Sequence, residues 1–102
     1  MSKKLTIGIF NYIYSKLYIK EIVKERIVCK NGLSFSCQNH FGSYANENHF
    51  EIGFPSEKID LLMPYADNSA EPTDDIYPYV PVKLIIKIIN NNGGLGEIKF
   101  IK

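Results

Sequence analysis

The chain has no run of eighteen apolar residues, so no membrane-spanning helix is expected. Its net charge is only +1, which argues against generic nucleic-acid binding, a role that calls for a strongly basic balance. It has just two cysteines, Cys29 and Cys37. At 102 residues a single domain can bury a core without staples, and reduced cysteines agree with a cytoplasmic protein. The lysines ahead of the first apolar patch invite a signal-peptide reading, but Asn11, Tyr12 and Tyr14 interrupt that patch and no small-residue cleavage site follows. There is no internal repeat and no low-complexity tract.

Catalytic and metal patterns are absent as well. Cys29, Cys37, His40 and His49 could nominally form a Cys2His2 set, yet the cysteines are eight apart where zinc hairpins usually place their first ligands two to four apart. Cys37 with His40 or His49 has no nucleophile-elbow or glycine-flanked context. Gly93-Gly94-Leu95-Gly96 lacks the Gly-Lys-Ser/Thr of a phosphate loop and follows a helix pattern where a phosphate cradle would precede one. No catalytic residue, metal or cofactor is therefore expected, and an enzyme is the least favoured class.

What the sequence does contain is a plainly punctuated core element, Ile76 to Gly94. Pro81 suits a first helical position, and Gly93 or Gly94 can take the left-handed conformation that ends a helix. Between them Val82, Ile85, Ile86 and Ile89 recur at helical spacing, Leu84 and Ile88 widen the stripe, and Lys83, Lys87 and Asn90 are left for solvent. The spacing predicts a helix over 81–91; the alternative is a buried strand, since isoleucine and valine favour strands.

Around it, strands are expected. Leu5, Ile7 and Ile9 alternate, and residues 11–25 can be drawn as helix or strand with a lean towards strand. Asn31-Gly32 lies between two alternating runs and predicts a two-residue hairpin pairing Cys29 with Ser34 and Val28 with Phe35. That register puts Cys29 and Cys37 on opposite faces of the ribbon. Residues 39–48 read as an exposed loop. His49 to Phe54 reads as a strand with Phe50, Ile52 and Phe54 on one face. Ser56 could cap a short helix over Glu57 to Met63, limited by Pro64, and residues 95–102 form a last strand. The expected fold is one α+β domain: an antiparallel sheet of about four to five strands with two short helices packed on one face.

Charge is unevenly laid out. Residues 1–30 hold seven Lys or Arg against two Glu, for +5, while residues 47–75 hold one Lys against eight Asp or Glu, for −7. A surface rich in carboxylates can compete for a groove that normally holds a phosphate backbone, because Lys and Arg accept either anion. The alternative is a solvated acidic loop with no partner.

Several segments together resemble a family of small uncharacterised proteins carried by phages and mobile elements of low-GC bacteria. They are Cys29-Lys30-Asn31-Gly32-Leu33-Ser34-Phe35-Ser36-Cys37-Gln38, Glu51-Ile52-Gly53-Phe54-Pro55-Ser56-Glu57, Leu62-Met63-Pro64-Tyr65-Ala66, Glu71-Pro72-Thr73-Asp74-Asp75-Ile76-Tyr77, Tyr79-Val80-Pro81-Val82 and Gly93-Gly94. The likeness covers a core of about 22–94 and leaves 1–21 as a variable extension. The chain departs from the pattern in the loop after Gln38 and at Asn90-Asn91-Asn92. The resemblance implies an accessory phage protein, cytoplasmic in the bacterial host. The expected function is non-enzymatic inhibition of bacterial immunity in the anti-CRISPR style, with a host defence protein such as a nucleic-acid-binding effector as partner. Tyr44, Glu47, Glu71, Asp74 and Asp75 are the expected partner contacts. The rival readings are a module sequestering a nucleotide immune signal through Arg26, Lys30, Tyr77 and Tyr79, and a structural or regulatory phage protein. A homodimer is left open.

Overall fold

A computed structural model describes residues 24–38, 48–68 and 70–101. The strand expected at Leu5 to Ile9, nearly all of the ambiguous 11–25 stretch, and most of the loop following Gln38 lie outside the described residues. Five strands, β1 (Lys24–Cys29), β2 (Ser34–Gln38), β3 (His49–Gly53), β4 (Ile76–Pro81) and β5 (Leu95–Ile101), form one antiparallel sheet in the order β4-β3-β2-β1-β5. The fold is α+β, as expected.

The isoleucine-rich stretch is helical: α1 spans Val82–Asn91 and buries Val82, Ile85, Ile86, Ile88 and Ile89. Pro81 sits one place earlier than expected, as the last residue of β4 and the helix cap. The Val82 N–H donates to the Asn48 carbonyl at 3.1 Å, fixing where the helix starts. At the other end Gly94 N–H donates to the Ile89 carbonyl at 3.0 Å, with Gly93 at φ 88° and Gly94 at φ 95°. This is the six-to-one bond of a Schellman ending, which needs a left-handed residue just past the helix.

Among the described residues β4 and β5 are the outermost strands of the sheet, so α1 carries the chain from one side of it to the other. Ten residues of helix reach about 15 Å, and four strand spacings span roughly 19 Å, so helix and flanking turns together suffice. The helix shares one core with Ile27, Phe35, Phe50, Ile52, Tyr77 and Val80 of the sheet. Burying a side chain of isoleucine size contributes about 1.5–3 kcal/mol, which makes the triplet Ile85, Ile88 and Ile89, each at most 2% exposed, a main source of stability.

The hairpin differs from expectation by one residue. Arg26 pairs with Ser36, Ile27 with Phe35 and Val28 with Ser34. Cys29 N–H donates to the Leu33 carbonyl at 2.7 Å, and Gly32 N–H to the Cys29 carbonyl at 2.9 Å. The loop is therefore three residues, Lys30-Asn31-Gly32, with Gly32 at φ 98°, the left-handed glycine of a bulged hairpin. A shift of one residue exchanges faces on one strand. Cys29 and Cys37 thus lie on the same, buried face, correcting the opposite-face expectation. They are four positions apart along the ribbon, about 13 Å by strand rise, and both are free thiols.

Three further expectations change. The short helix expected from Glu57 to Met63 is present as a 3-10 helix, shifted to Asp60–Tyr65, with Pro64 inside it. Ser56 does not cap it: Ser56 Oγ accepts from Ser34 N–H at 3.0 Å and Ser56 N–H donates to the Ser34 carbonyl at 2.8 Å, tying the segment to β2. The aromatic lead-in from Ile76 is a strand. Phe54, expected on the buried face, leaves the strand at φ 48° and is 48% exposed.

Candidate functional site

The acidic loop between the 3-10 turn and β4 is held by its own polar groups. Asp67 N–H donates to the Ile76 carbonyl at 3.2 Å, and Asn68 N–H to Asp75 Oδ2 at 2.8 Å. Asn68 Oδ1 accepts from Ala70 N–H at 3.2 Å, the local turn that Asn side chains favour. Asp74 N–H donates to the Glu71 carbonyl at 3.0 Å, closing a turn with Pro72 at its second position, where the fixed φ of proline fits. The Tyr77 hydroxyl donates to the Pro72 carbonyl at 2.5 Å, anchoring the loop from the core side.

This framework sorts the expected contacts. Asp67, Glu71 and Asp74 are exposed, and no Lys, Arg or His occurs from Ile59 to Val82 to offset them. Asp75 is only 5% exposed and its carboxylate is spent inside the loop, which withdraws it from the partner contacts. Tyr44 and Glu47 lie outside the described residues.

Phe54 joins the loop through its backbone. Its N–H donates to the Asp75 carbonyl at 3.0 Å, and its carbonyl accepts from Arg26 Nη2 at 2.8 Å. A second exposed aromatic, Tyr79, is 47% exposed at φ 54°. It sits where the β3–β4 register slips by one residue between Phe50 and Ile52, so β4 carries a bulge there. Non-glycine residues in the left-handed region cost of order 1 kcal/mol or more, and here two such residues bear large rings turned to solvent. Nothing in the local sequence marked Phe54; the only hint at Tyr79 was the pair of prolines, Pro78 and Pro81, around it.

The four residues expected to line a nucleotide pocket do not converge. Arg26 Nε and Nη2 donate to Ser34 Oγ at 3.2 and 3.0 Å, so the guanidinium clamps β2 as well as Phe54. Tyr77 is fully buried on the core face, whereas Arg26, next to buried Ile27 on a strand, points to the other. Burial pushes the Tyr77 phenol above its ordinary pKa, and nearby Asp75 adds to the rise. Lys30 is at the exposed hairpin tip. A cavity of about 210 Å³ lies between Leu33, Ile59 and Ile88, rimmed by Glu57, Lys58 and Asp60. It is smaller than most small-molecule sites and includes none of the four.

Among the described residues no three His, Cys, Asp or Glu side chains gather as a metal site, and no helix is long and apolar enough to cross a membrane. Burial pushes the Cys29 thiol up to about 11 from 9.0, the reverse of what a reactive cysteine needs. No protein-family model, curated protein or solved structure matches the chain.

Proposed function

We propose that this chain is a non-enzymatic binding protein that occupies a basic surface of a host defence protein, in the anti-CRISPR manner, within the bacterial cytoplasm. The observation that carries this reading is the coupling of Phe54 to the Asp67–Asp75 loop through the Phe54 N–H and the Asp75 carbonyl. One rigid corner thereby presents the exposed carboxylates of Asp67, Glu71 and Asp74 beside an exposed ring. Carboxylates substitute for phosphates on Lys and Arg, and an aromatic anchor next to them supplies the apolar contact that dominates most interfaces. Because hydrogen bonds already tie Asp67, Asn68 and Asp74 into the loop, binding loses less conformational entropy than it would with an untethered acidic tail. The resemblance to small phage and mobile-element proteins of low-GC bacteria agrees with such a role.

Capture from a lysate of a low-GC bacterium with tagged protein, followed by native mass spectrometry, tests the reading. The expected result is a stoichiometric complex with a protein that has a basic groove, lost in the double variant Glu71→Gln/Asp74→Asn. A small-molecule adduct without a protein partner would contradict it. So would a complex that survives the double variant.

A further inference from the structure

The chain contains two Asn-Gly pairs, Asn31-Gly32 and Asn92-Gly93, and the fold brings them together although the asparagines are 61 positions apart. Asn31 Nδ2 donates to Asn92 Oδ1 at 2.8 Å, and Asn31 N–H donates to the Asn92 carbonyl at 3.2 Å. Backbone groups fix which way each amide points. Asn31 Oδ1 accepts from Leu33 N–H at 3.0 Å, and Asn92 Nδ2 donates to the Ile88 carbonyl at 2.7 Å. The Asn31 nitrogen therefore meets the Asn92 oxygen, and neither amide can turn over without giving up its backbone partner.

Asn-Gly is the pair most prone to deamidation, because glycine has no Cβ to shield its nitrogen. That nitrogen attacks the asparagine Cγ: the N–Cγ bond forms, the Cγ–Nδ2 bond breaks, and Nδ2 leaves as ammonia with the glycine amide proton. Water then opens the cyclic imide at either carbonyl, giving aspartate or isoaspartate. At Asn31 each group in this step is already engaged. The attacking Gly32 N–H donates to the Cys29 carbonyl at 2.9 Å, the leaving Nδ2 holds Asn92, and Oδ1 holds Leu33.

We propose that Asn31 is a self-deamidation site held unreactive by its clasp with Asn92. Lys30, Asn31 and Gly32 are all exposed, and the tip is tied to the end of α1 by the Asn31 bonds and by Lys30 N–H donating to the Gly94 carbonyl at 2.9 Å. It can lift locally while the sheet stays paired. Asn92 is bound more deeply, with its own N–H on the Ile89 carbonyl, and reacts when the helix end frays. The change at Asn31 runs one way. An aspartate there turns a carboxylate towards Asn92 Oδ1, two acceptors with no proton between them, and Asn92 cannot offer Nδ2 instead without releasing Ile88. Each deamidated chain therefore keeps an open tip. This site stands independently of the blocking function.

Incubation of the full chain at pH 8, with and without urea, tests the assignment, followed by trypsin digestion and mass spectrometry. Cleavage after Lys30 and Lys87 puts the two asparagines on separate peptides. In the folded wild type Asn31 is expected to convert at least about tenfold more slowly than in urea, and ahead of Asn92. Asn92→Ala, shown by circular dichroism to be folded, should raise the Asn31 rate about threefold to tenfold, the effect of one lost hydrogen bond. Hydrogen exchange on deamidated wild type, which needs no substitution, should show faster exchange at the Lys30 amide than in the intact chain. Equal Asn31 rates in the folded and urea-unfolded wild type overturn the proposal. So does conversion of Asn92 ahead of Asn31 in the folded chain, an Asn31 rate that folded Asn92→Ala leaves unchanged, or a Lys30 amide that exchanges no faster after deamidation.

Discussion

Phe54 and Asp75 are bonded backbone to backbone, N–H to carbonyl at 3.0 Å, and their side chains go opposite ways. Phe54 is 48% exposed and Asp75 only 5% exposed. One residue of the pair is display and the other is scaffold, the reverse of what an alternating strand ending at Phe54 and an acidic loop holding Asp75 lead one to expect.

Adjacent aspartates should accordingly respond very differently to substitution. Asp75→Ala removes the acceptor of the Asn68 N–H inside the loop and should lower stability by about 1–3 kcal/mol. In a domain this size each kcal/mol is a fall of about 4–8 °C in Tm. Asp74→Asn, at an exposed position, should stay within about 0.5 kcal/mol of wild type. Calorimetry of the two variants checks this; equal effects would mean that the loop framework is wrong.

The exposed rings carry a different signature. Phe54→Gly and Tyr79→Gly each relieve a left-handed residue, offsetting the extra chain entropy that glycine brings. Stability measured by urea unfolding should therefore change by less than about 1 kcal/mol. Affinity for the captured partner should fall by about thirtyfold or more for Phe54→Gly if it is a binding anchor. A variant crippled in folding but not in binding would show that the ring is structural.

The hairpin shows where the sequence was legible and where a local rule misled. Asn-Gly between alternating runs does mark the turn, but the two-residue register leaves Val28 and Lys30 sharing a face with Leu33 and Phe35. The three-residue loop instead brings Ile27, Cys29, Leu33, Phe35 and Cys37 to one face, all buried. That apolar consistency was present in the sequence. The docking that holds the tip was not: Lys30 N–H donates to the Gly94 carbonyl, Asn31 N–H to the Asn92 carbonyl and Asn31 Nδ2 to Asn92 Oδ1, contacts spanning some sixty residues. The helix from Val82 was legible because its apolar spacing is long and regular. β4 was not, since two prolines and a bulge mask its alternation. Of the candidate surface, the acidic charge could be read in order, whereas the burial of Asp75 depends on a fold that places Asn68 beside it.

Alkaline pH should weaken the fold through Cys29. A thiol at about 11 in the fold against 9.0 when exposed holds its proton more tightly in the folded state. Its contribution is whole below pH 9 and lost as pH rises towards 11, a difference of about 3 kcal/mol. Tyr77, raised by burial and then by Asp75, moves stability in the same direction. Urea unfolding at pH 8 and near pH 11 should show the loss, and Cys29→Ala should reduce it. With Cys29 and Cys37 both buried, a thiol reagent at pH 8 should label neither until the chain unfolds.

The most direct test of the acidic corner is the salt dependence of affinity for the captured partner, measured by calorimetry for wild type and for Glu71→Gln/Asp74→Asn. Exposed charge pairs are screened by added salt. The wild-type affinity should fall steeply between low and physiological ionic strength, and the double variant should bind at least tenfold more weakly with a visibly flatter slope. An affinity that ignores both salt and the double substitution would contradict the account.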